Sequence, residues 1–462
     1  MDTYIPTNEK IDFGKFKKKK LKIAVIGSGI AGLSAAWLLS KEYNTTLYEK
    51  ESKLGGHANT VKINYPVEND KTVPIQVDTG FIVYNNKNYP NLTNFFKYNN
   101  VESIDSNMSL SISLNNSSYE YSGSGLNGMF GQRKNLFKLS QWKLIYDILK
   151  FKKLATKYIK RNNYTETTIQ EWLTKNKFSK SFINCYIIPI TSAVWSCSNK
   201  DALLFPTQTF LYFFYHHGLL NIIDRPKWRT VKNGSRHYID KVIKNSNFIY
   251  KNNVNIQSIE SFNKSVNIEI NNIKIKYDHV VMACHADQSI KLIKNIDNKV
   301  YNILSKFKYS KNIITLHSCD KYMPKIKSLW SSWNYFNNIE PSNKKINQPV
   351  QMTYWMNLLQ DINKKLPLFI TLNSPKDSIK EKYIFDKISY EHPILDKNAL
   401  MGQSQIETIQ GKGNIWHAGA WMRYGFHEDG IISGLNIAEK LGCKCPWSIK
   451  DRDIKKILQP IK

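Results

Sequence analysis

The stretch LKIAVIGSGIAGLSAAWLL, residues 21–39, decides the fold of the first part of the chain. It begins with the wholly apolar run 23–26, which is typical of a buried parallel strand. Gly27, Gly29 and Gly32 follow in the pattern G-x-G-x-x-G, and an alanine- and leucine-rich helical pattern begins at once. Such glycines allow a tight turn, a close approach of the backbone to a pyrophosphate, and close packing of the helix on the strand. Because the start of a helix favours negative charge, the stretch predicts a dinucleotide site.

A second apolar run, residues 45–48, supplies the next part of the pattern. It ends at Glu49, which lies 22 residues after Gly27. An acidic residue roughly 20 positions after the first glycine accepts hydrogen bonds from the ribose of a bound dinucleotide. Strand, glycines, helix, second strand and acidic residue therefore follow the order of a Rossmann-like unit, which predicts an α/β fold with a parallel sheet.

The composition limits the class of protein. The chain has 462 residues, of which 42% are hydrophobic and 13% aromatic, and this excludes a disordered, collagen-like or simple coiled-coil protein. Sixty-six lysines and arginines against 37 acidic residues give a formal net charge of +29. The excess suits an anionic partner, either a membrane surface or a nucleic acid. The joint abundance of lysine, asparagine and isoleucine equally suits a compositional bias of a whole genome, and both explanations remain open.

The start of the chain and its cysteines indicate where the protein works. Residues 1–20 form a basic arm without the apolar core of a signal peptide, and no run of about 18 apolar residues predicts a membrane span. Six cysteines are too sparse for a disulfide framework, and the lone pair Cys443 and Cys445 lacks the spacing of a zinc site. We therefore expect a cytoplasmic protein without a metal, peripheral at most to the inner face of the membrane.

Three further segments point to one family of nucleotide-binding proteins. LGGHANT (54–60) follows the second predicted strand, and GNIWHAGAW (413–421) and YGFHEDG (424–430) lie late in the chain. With residues 21–50 they resemble the flavin-containing amine oxidase superfamily, which includes phytoene desaturases and protoporphyrinogen oxidases. The similarity covers residues 21–442. It implies an α/β protein with a discontinuous, GR2-type Rossmann-like FAD-binding domain and an inserted α+β substrate-binding domain.

Four more segments narrow this resemblance, namely DTGFIVYN (78–85), HHGLL (216–220), RPKWRTV (225–231) and ACHAD (283–287). With the C-terminal segments they are similar to a bacterial subgroup of NAD/FAD-binding proteins within the superfamily. Members of that subgroup are found beside cyclopropane-fatty-acid synthases, or fused to them in plants. The resemblance thus implies an FAD-dependent oxidoreductase of lipids, with a cyclopropane-fatty-acid-synthase-type enzyme as an expected partner.

The resemblance also implies how the chain is divided. The expected parts are a basic arm (1–20), an FAD-binding domain (21–90, 230–300 and 400–442), a substrate domain (91–229 and 301–399) and a C-terminal tail (443–462). The substrate domain is rich in aromatic residues, as in FLYFFY (210–215). Such side chains suit a long apolar pocket better than a sugar or nucleotide site.

The superfamily's contacts with FAD carry over to particular residues. A double glycine after the second strand packs against FAD there, and the last helix points its N-terminus at the flavin ring. In this chain His57 stands where arginine is usual, and Ala420 stands where many flavoproteins have an acidic residue. The residues expected to contact FAD are Gly27, Gly29, Ile30, Ala31, Gly32, Glu49, Lys50, Gly55, Gly56, His57, Thr60, Gly419, Ala420, Gly430 and Ile431.

Chemistry at a flavin leaves orientation and proton transfer to the protein. His216, His217 and His427 are the candidates for the catalytic acid or base, because imidazole exchanges protons near neutral pH. We expect hydride transfer to or from flavin N5 on a fatty-acyl or other lipid substrate, in a desaturation, saturation or isomerisation. Two alternatives remain: a flavin amine oxidase that releases hydrogen peroxide, and a non-catalytic nucleotide-binding protein with a basic surface. No nucleic-acid partner is expected.

Overall fold

The computed structural model describes residues 20–161, 167–216, 218–220, 226–337 and 350–450. The strands in these residues are β1 (Lys22–Ile26), β2 (Asn44–Tyr48), β3 (Thr60–Pro66), β4 (Thr72–Asp78), β5 (Tyr84–Asn85), β6 (Ser103–Ser106), β7 (Leu110–Leu114), β8 (Tyr119–Ser122), β9 (Trp228–Val231), β10 (Ile249–Lys251), β11 (Ile256–Phe262), β12 (Ser265–Ile270), β13 (Ile273–Tyr277), β14 (His279–Met282), β15 (Lys308–His317), β16 (Trp333–Asn337), β17 (Gln351–Trp355), β18 (Phe369–Leu372), β19 (Ile384–Ile394) and β20 (Ile415–His417).

The helices alternate with these strands in the first part of the chain and cluster in its middle. They are α1 (Ile30–Leu39), α2 (Pro90–Tyr98), α3 (Gly125–Met129), α4 (Leu139–Arg161), α5 (Ile169–Lys175), α6 (Lys180–Phe182), α7 (Ile188–Trp195), α8 (Asp201–Leu204), α9 (Thr207–His216), α10 (Arg236–Lys244), α11 (Ala286–Leu292), α12 (Asn298–Leu304), α13 (Met356–Leu359), α14 (Lys397–Gln405) and α15 (His427–Lys440). A π-helical turn, Ile183–Ile187, joins α6 to α7, and a short 3-10 segment, Arg133–Phe137, precedes α4.

A five-stranded parallel sheet lies at the centre of the first domain. Its strand order is β10-β2-β1-β14-β20, and every neighbouring pair is parallel. Ile26 at the end of β1 is level with Tyr48 of β2 and Met282 of β14, so the loops that follow these three strands leave from the same edge. Ligands of open α/β sheets bind beyond that edge. The α/β fold with a Rossmann-like sheet that the sequence predicts is confirmed.

The two faces of this sheet are covered by different elements. Successive side chains of a strand point to opposite faces. In β1, Ile23 and Val25 therefore pack with α1 and α15, whereas Ala24 and Ile26 pack with the three-stranded antiparallel sheet β11-β12-β13. All four side chains are at most 5% exposed, which explains why this strand is wholly apolar.

A second, seven-stranded sheet is formed by two separate stretches of the chain. Its strand order is β19-β15-β18-β17-β16-β7-β8, and its pairs are antiparallel except β16 with β7. The helices of residues 139–216 share its apolar core, in which Phe151 of α4 and Phe214 of α9 join Met352 and Ile370 of the sheet. This is the inserted α+β part of the predicted fold.

Asp78, at the end of β4, connects the parts of the chain around the first sheet. Its buried carboxylate accepts hydrogen bonds from the Thr60 hydroxyl, from the Ser235 amide and hydroxyl, and from the Gln360 side-chain amide. Burial raises the pKa of Asp78 to about 6 in spite of these donors.

The residue bounds expected for the two domains stay a prediction. Within the described residues, no helix has both the length and the apolar character needed to span a bilayer.

Candidate dinucleotide site

The turn between β1 and α1 has the glycine geometry of a dinucleotide-binding loop. Gly27 has a φ of +98°, and a Cβ there would lie 2.9 Å from the carbonyl oxygen of Ala283. A Cβ at Gly32 would collide with the carbonyl oxygen of Gly27. Gly29 differs, because its φ of −59° suits any residue and a Cβ there would meet no atom within 4 Å. Packing therefore explains why glycine is needed at Gly27 and Gly32, whereas the absence of a side chain at Gly29 leaves space open in front of the loop.

Glu49 lies at the end of β2, where Ser28 holds its carboxylate. The Ser28 amide and hydroxyl both donate to Glu49 Oε2, at 2.9 and 2.6 Å, and the Glu51 amide donates to Oε1 at 3.0 Å. The Ser28 hydroxyl also accepts a hydrogen bond from the Gly55 amide at 3.0 Å. One serine thus connects the glycine turn, the acidic residue and the double glycine. The sequence predictions did not include it, although its place inside the G-x-G pattern could have singled it out.

The double glycine makes a turn that packs against the first one. Gly55 and Gly56 have φ values of +124° and +56°, which favour glycine. A Cβ at Gly55 would lie 2.6 Å from the carbonyl oxygen of Ala58, and a Cβ at Gly56 would lie 3.1 Å from the Cα of Gly29. The structure therefore brings Gly29 and Gly56 together at the open space, as the predicted contacts with one cofactor require.

The start of α15 packs against the start of α1. A Cβ at Gly430 would lie 2.7 Å from the Ile30 side chain, and a Cβ at Gly434 would collide with the Ala31 carbonyl oxygen. Ile431 is fully buried in the core below them. The start of α15 is capped, because Asp429 accepts a hydrogen bond from the Phe426 amide. No side chain in the described residues caps α1, so its first amide groups are free at this place. Such a place favours an anionic ligand.

Gly419 and Ala420 connect β20 to this region. The Gly419 amide donates to the Ser433 hydroxyl of α15 at 2.9 Å. A Cβ at Gly430 would lie 3.7 Å from the Ala420 side chain, so Ala420 lies beside the same helix start. A larger residue at position 420 would fill the space between the β20 turn and α15.

Two predicted contacts are engaged with other parts of the protein. The Lys50 ammonium lies 3.6 Å from the Glu51 carboxylate, and both side chains are exposed. The Thr60 hydroxyl donates to Asp78 at 2.5 Å and accepts from the Arg236 amide at 2.9 Å. Thr60 therefore stabilises the turn around Asp78, and its role toward a cofactor stays a prediction.

His57 is part of a group of aromatic side chains from distant segments. Its ring stacks on Tyr390 with centroids 4.9 Å apart, and the His392 ring lies 5.4 Å away. Its Nε2 is buried and has no hydrogen-bond partner among the described residues. Burial, helped by the nearby His392 and His285, lowers the pKa of His57 well below its usual range. A neutral imidazole thus replaces the permanent charge of an arginine at this position.

His285 and His392 complete this group, and the sequence predictions gave them no role. The His285 ring stacks on Tyr309 at 4.1 Å, and its Nδ1 lies 3.4 Å from the Glu391 carboxylate. His392 Nδ1 lies 3.1 Å from the side-chain nitrogen of Asn312, and burial lowers the pKa of His392 to about 4. We call His57, His285 and His392 the histidine group. They lie beside the double glycine because strand β19 brings positions 390 and 392 to it.

Of the three histidines proposed for catalysis, His427 is the one whose side chain the structure describes. It begins α15, stacks on Phe81 with centroids 3.7 Å apart, and places Nε2 3.4 Å from the Tyr238 hydroxyl. Burial lowers the pKa of His427 to about 3, so its imidazole is neutral at physiological pH. His216 ends α9, and its side chain lies outside the described residues, as does all of His217. Their catalytic role stays a prediction.

Comparison with known proteins decides the class of the first domain. Residues 25–98 match the family model described as an NAD(P)-binding Rossmann-like domain. The chain has a Rossmann-like domain. The match begins near the end of β1 and covers the glycine turn, α1 and Glu49, which are features that predict such a domain from the sequence. A comparison with curated protein sequences finds no match.

Solved structures extend the likeness beyond the Rossmann-like domain. A fatty acid isomerase from P. acnes that produces CLA is 14% identical, with a TM-score of 0.63 over 92% of this chain and 99% of that one. Cyclohexylamine oxidase from Brevibacterium oxydans IH-35A is 12% identical, with a TM-score of 0.62 over 91% and 99%. An oxidoreductase from Methanosarcina mazei is 12% identical, with a TM-score of 0.61 over 91% and 100%. At these identities the likeness establishes the fold, and the fold that the resemblance implies is confirmed over most of the chain.

A layer of aromatic side chains contacts the residue that precedes α15. Phe426, directly before α15, stacks on Phe213 of α9 with centroids 5.1 Å apart. Phe213 in turn lies 4.4 Å from the Trp195 ring, and Trp195 lies 4.5 Å from Phe205. All are buried or nearly so. The inserted helices thus bring buried aromatic side chains to the start of α15, and the long apolar pocket expected in this region stays a prediction.

Proposed function

We propose that the protein is an FAD-dependent oxidoreductase of a hydrophobic substrate, a fatty-acyl or other lipid chain. The main observation in support of FAD as the cofactor is the open space in front of Gly29. This space lies between the N-termini of α1 and α15 and next to Gly56. Neither the backbone conformation of Gly29 nor its neighbours require glycine there. A bound pyrophosphate that approaches the backbone does require it.

The residues around this space fit FAD. The α1 amides and the open position at Gly29 would hold the pyrophosphate, and Glu49, fixed by Ser28, would accept hydrogen bonds from the adenosine ribose. The unpartnered Nε2 of His57 is a further buried polar atom beside the double glycine. The parallel sheet, the glycine turn and the similar solved structures all support a flavin cofactor at this place.

FAD, when bound, supplies the hydride acceptor or donor. The chain's own contribution is binding and electrostatics. The position of the α15 N-terminus is fixed by the contacts of Gly430 and Gly434 with α1. Neutral His427 forms a rigid wall with Phe81 and holds its proton as an uncharged hydrogen-bond donor or acceptor. The aromatic layer of Phe213 and Phe426 excludes water and orients an apolar chain.

The lipid substrate is supported by the chemistry of the aromatic layer. Phe213, Trp195 and Phe205 pack ring against ring, so this region presents mainly apolar side chains. A fatty acid isomerase is among the proteins of similar fold, and its chemistry is of the kind we propose. We further propose desaturation, saturation or isomerisation as the reaction, and a cyclopropane-fatty-acid-synthase-type enzyme as the partner that consumes or supplies the lipid.

Amine oxidation is the second candidate, because cyclohexylamine oxidase shares the fold to the same degree. A non-catalytic nucleotide-binding protein is the third. The three candidates differ in simple observables. A lipid oxidoreductase binds FAD and changes the fatty-acid profile of a cell that expresses it, an amine oxidase releases hydrogen peroxide from amines under oxygen, and a non-catalytic protein does neither.

The first experiment is the visible absorption spectrum of the purified protein, followed by denaturation and identification of the released compound. We expect a flavin spectrum and release of FAD. A colourless protein that also fails to take up added FAD would contradict both the proposed cofactor and the proposed enzymatic activity. A flavoprotein that leaves every fatty-acid profile unchanged but oxidises amines would overturn the lipid substrate alone.

A further inference from the structure

Helix α4 has two apolar faces, and only one of them is covered. Leu144, Phe151 and Ala155 are buried in the core of the inserted domain. The helix also carries four exposed apolar residues, Leu139, Trp142, Tyr146 and Leu149. At about 100° per residue, this second set forms one stripe on the side opposite the buried set. An ordinary surface helix presents polar residues on that side, so the exposed stripe calls for a partner.

The segment before α4 extends this stripe. Phe137 ends the 3-10 segment Arg133–Phe137 and is 91% exposed, and Leu139 is 87% exposed. The Trp142 indole donates to the Leu136 carbonyl oxygen at 2.9 Å, so helix and segment are held together. We call Phe137, Leu139, Trp142, Tyr146 and Leu149 the apolar patch. Because its backbone is fixed, the patch is exposed as a preformed surface.

Positive charge surrounds the apolar patch. Residues 126–160 contain nine lysines and arginines and a single acidic residue, Asp147. Asp147 is buried and accepts hydrogen bonds from the Lys143 ammonium and the Ser179 amide, so it adds no exposed negative charge. The exposed basic side chains nearest in sequence to Phe137 are Arg133, Lys134 and Lys138, and the Lys143 ammonium lies over the Tyr146 ring at 4.9 Å.

We propose that the apolar patch docks the protein on the surface of a membrane that contains anionic lipids. Aromatic and leucine side chains enter the interface between headgroups and acyl chains, while the surrounding lysines and arginine pair with lipid phosphates. A second copy of the chain fits this surface poorly, because it would bring like charges together. Nucleic acid matches the charge but offers no place for five apolar side chains.

The same helix connects the apolar patch to the interior. Phe151 of α4 lies 5.8 Å from Phe214 of α9, and the neighbouring Phe213 stacks on Phe426 before α15. A docked protein therefore places its aromatic layer behind α4, on the side of the helix that faces away from the bilayer from which a lipid would enter. That last point rests on the proposed function, whereas docking itself requires neither flavin nor turnover.

Sedimentation of the purified protein with large unilamellar vesicles tests the proposal. The vesicles are phosphatidylcholine alone, or phosphatidylcholine with phosphatidylglycerol, at low and high salt. We expect binding to the mixed vesicles at low salt and a loss of at least roughly tenfold in the double variant Phe137→Ser, Leu139→Ser. The matched control is Phe262→Ser, Ile273→Ser, in which two side chains 60% and 65% exposed on the antiparallel sheet β11-β12-β13 are replaced.

A second pair of variants tests the charge. Lys134→Glu with Lys138→Glu should reduce binding to the mixed vesicles and its salt dependence, whereas the exposed control Lys376→Glu with Lys380→Glu should leave both unchanged. Equal vesicle binding by wild type and the Phe137/Leu139 variant would overturn the proposal. So would a wild-type dimer that this variant converts to a monomer in size-exclusion chromatography, since the patch would then be a self-interface. The FAD content of every variant, measured by absorption, reports the proposed function separately.

Discussion

Gly434 of α15 lies so close to the Ala31 carbonyl oxygen of α1 that a Cβ at position 434 would collide with it. Alanine normally stabilises a helix relative to glycine by about 1 kcal/mol. Here we expect the reverse for Gly434→Ala, a loss of about 1–3 kcal/mol in the free energy of unfolding, because two helix backbones must separate. Urea unfolding followed by circular dichroism measures this. Gly123→Ala is the control, since its Cβ would meet only the Leu110 carbonyl oxygen at 3.8 Å.

Gly29→Val tests the cofactor loop without disturbing the fold. The φ of −59° and ψ of 174° at Gly29 permit a branched side chain, and the space in front of it is open. We therefore expect a folded protein of unchanged unfolding midpoint that no longer retains FAD, because valine blocks the approach of the pyrophosphate. Absorption of the purified variant gives the answer, with Gly123→Val as control. Full FAD retention by Gly29→Val would mean that the pyrophosphate lies elsewhere.

Glu49→Gln tests the ribose contact. The substitution keeps the shape of the side chain and removes the charge that Ser28 and the Glu51 amide stabilise. We expect the dissociation constant of FAD to rise about tenfold, as for the loss of one charged hydrogen bond of about 1.5 kcal/mol. Fluorescence titration of flavin-free protein measures it. Glu51→Gln, two residues further on and exposed, should bind FAD like wild type, and equal weakening by both variants would argue against a specific ribose contact.

The histidine group makes the fold sensitive to acid. Burial lowers the pKa of His392 to about 4, below the value of about 6.5 for an exposed histidine. Between these values the unfolded chain binds the proton and the folded chain does not, so stability falls as pH decreases. Asp78 has the opposite effect below pH 6, since its pKa is raised to about 6.

The variant His392→Asn isolates this contribution. Between pH 7 and pH 5 we expect the wild type to lose roughly 2 kcal/mol more unfolding free energy than the variant, because the other groups titrate in both proteins. Urea unfolding at the two pH values gives the difference. His237→Asn, outside the histidine group, is the control and should behave as the wild type. An identical pH dependence in wild type and His392→Asn would show that His392 is already protonated or exposed in the folded protein.

The parts of the site that could be predicted are those encoded within a short stretch. The strand, the three glycines, α1 and Glu49 lie within 28 residues, from Lys22 to Glu49, and each has a local signature. The double glycine and the start of α15 were found by resemblance, because nothing in their spacing from β1 sets their position. The same local reasoning could have identified Ser28, because it stands between two glycines of the turn.

The histidine group could not be assembled from the sequence. His57, His285 and His392 come from three distant segments that only the folded chain brings together, since His285 follows β14 and His392 lies in the long strand β19. The apolar patch was hidden for a different reason. In α4 the buried and exposed apolar stripes overlap in sequence, so the helix reads as apolar on most sides until the structure shows which side the core covers. The net charge of +29 likewise did not predict where on the surface the positive side chains lie.

The order of strands in the Rossmann-like sheet has a consequence for how the protein is made. β1 and β2 are synthesised first, whereas β14 reaches the ribosome's exit more than two hundred residues later, and β20 and α15 follow only after residue 415. Domains generally fold as units while the chain emerges. Part of the apolar surface of the nascent β1–α1 unit therefore stays uncovered until nearly the whole inserted region has been translated. A chaperone that shields residues 22–48 during this interval would therefore benefit this protein more than it would benefit a protein whose sheet strands follow one another closely in sequence.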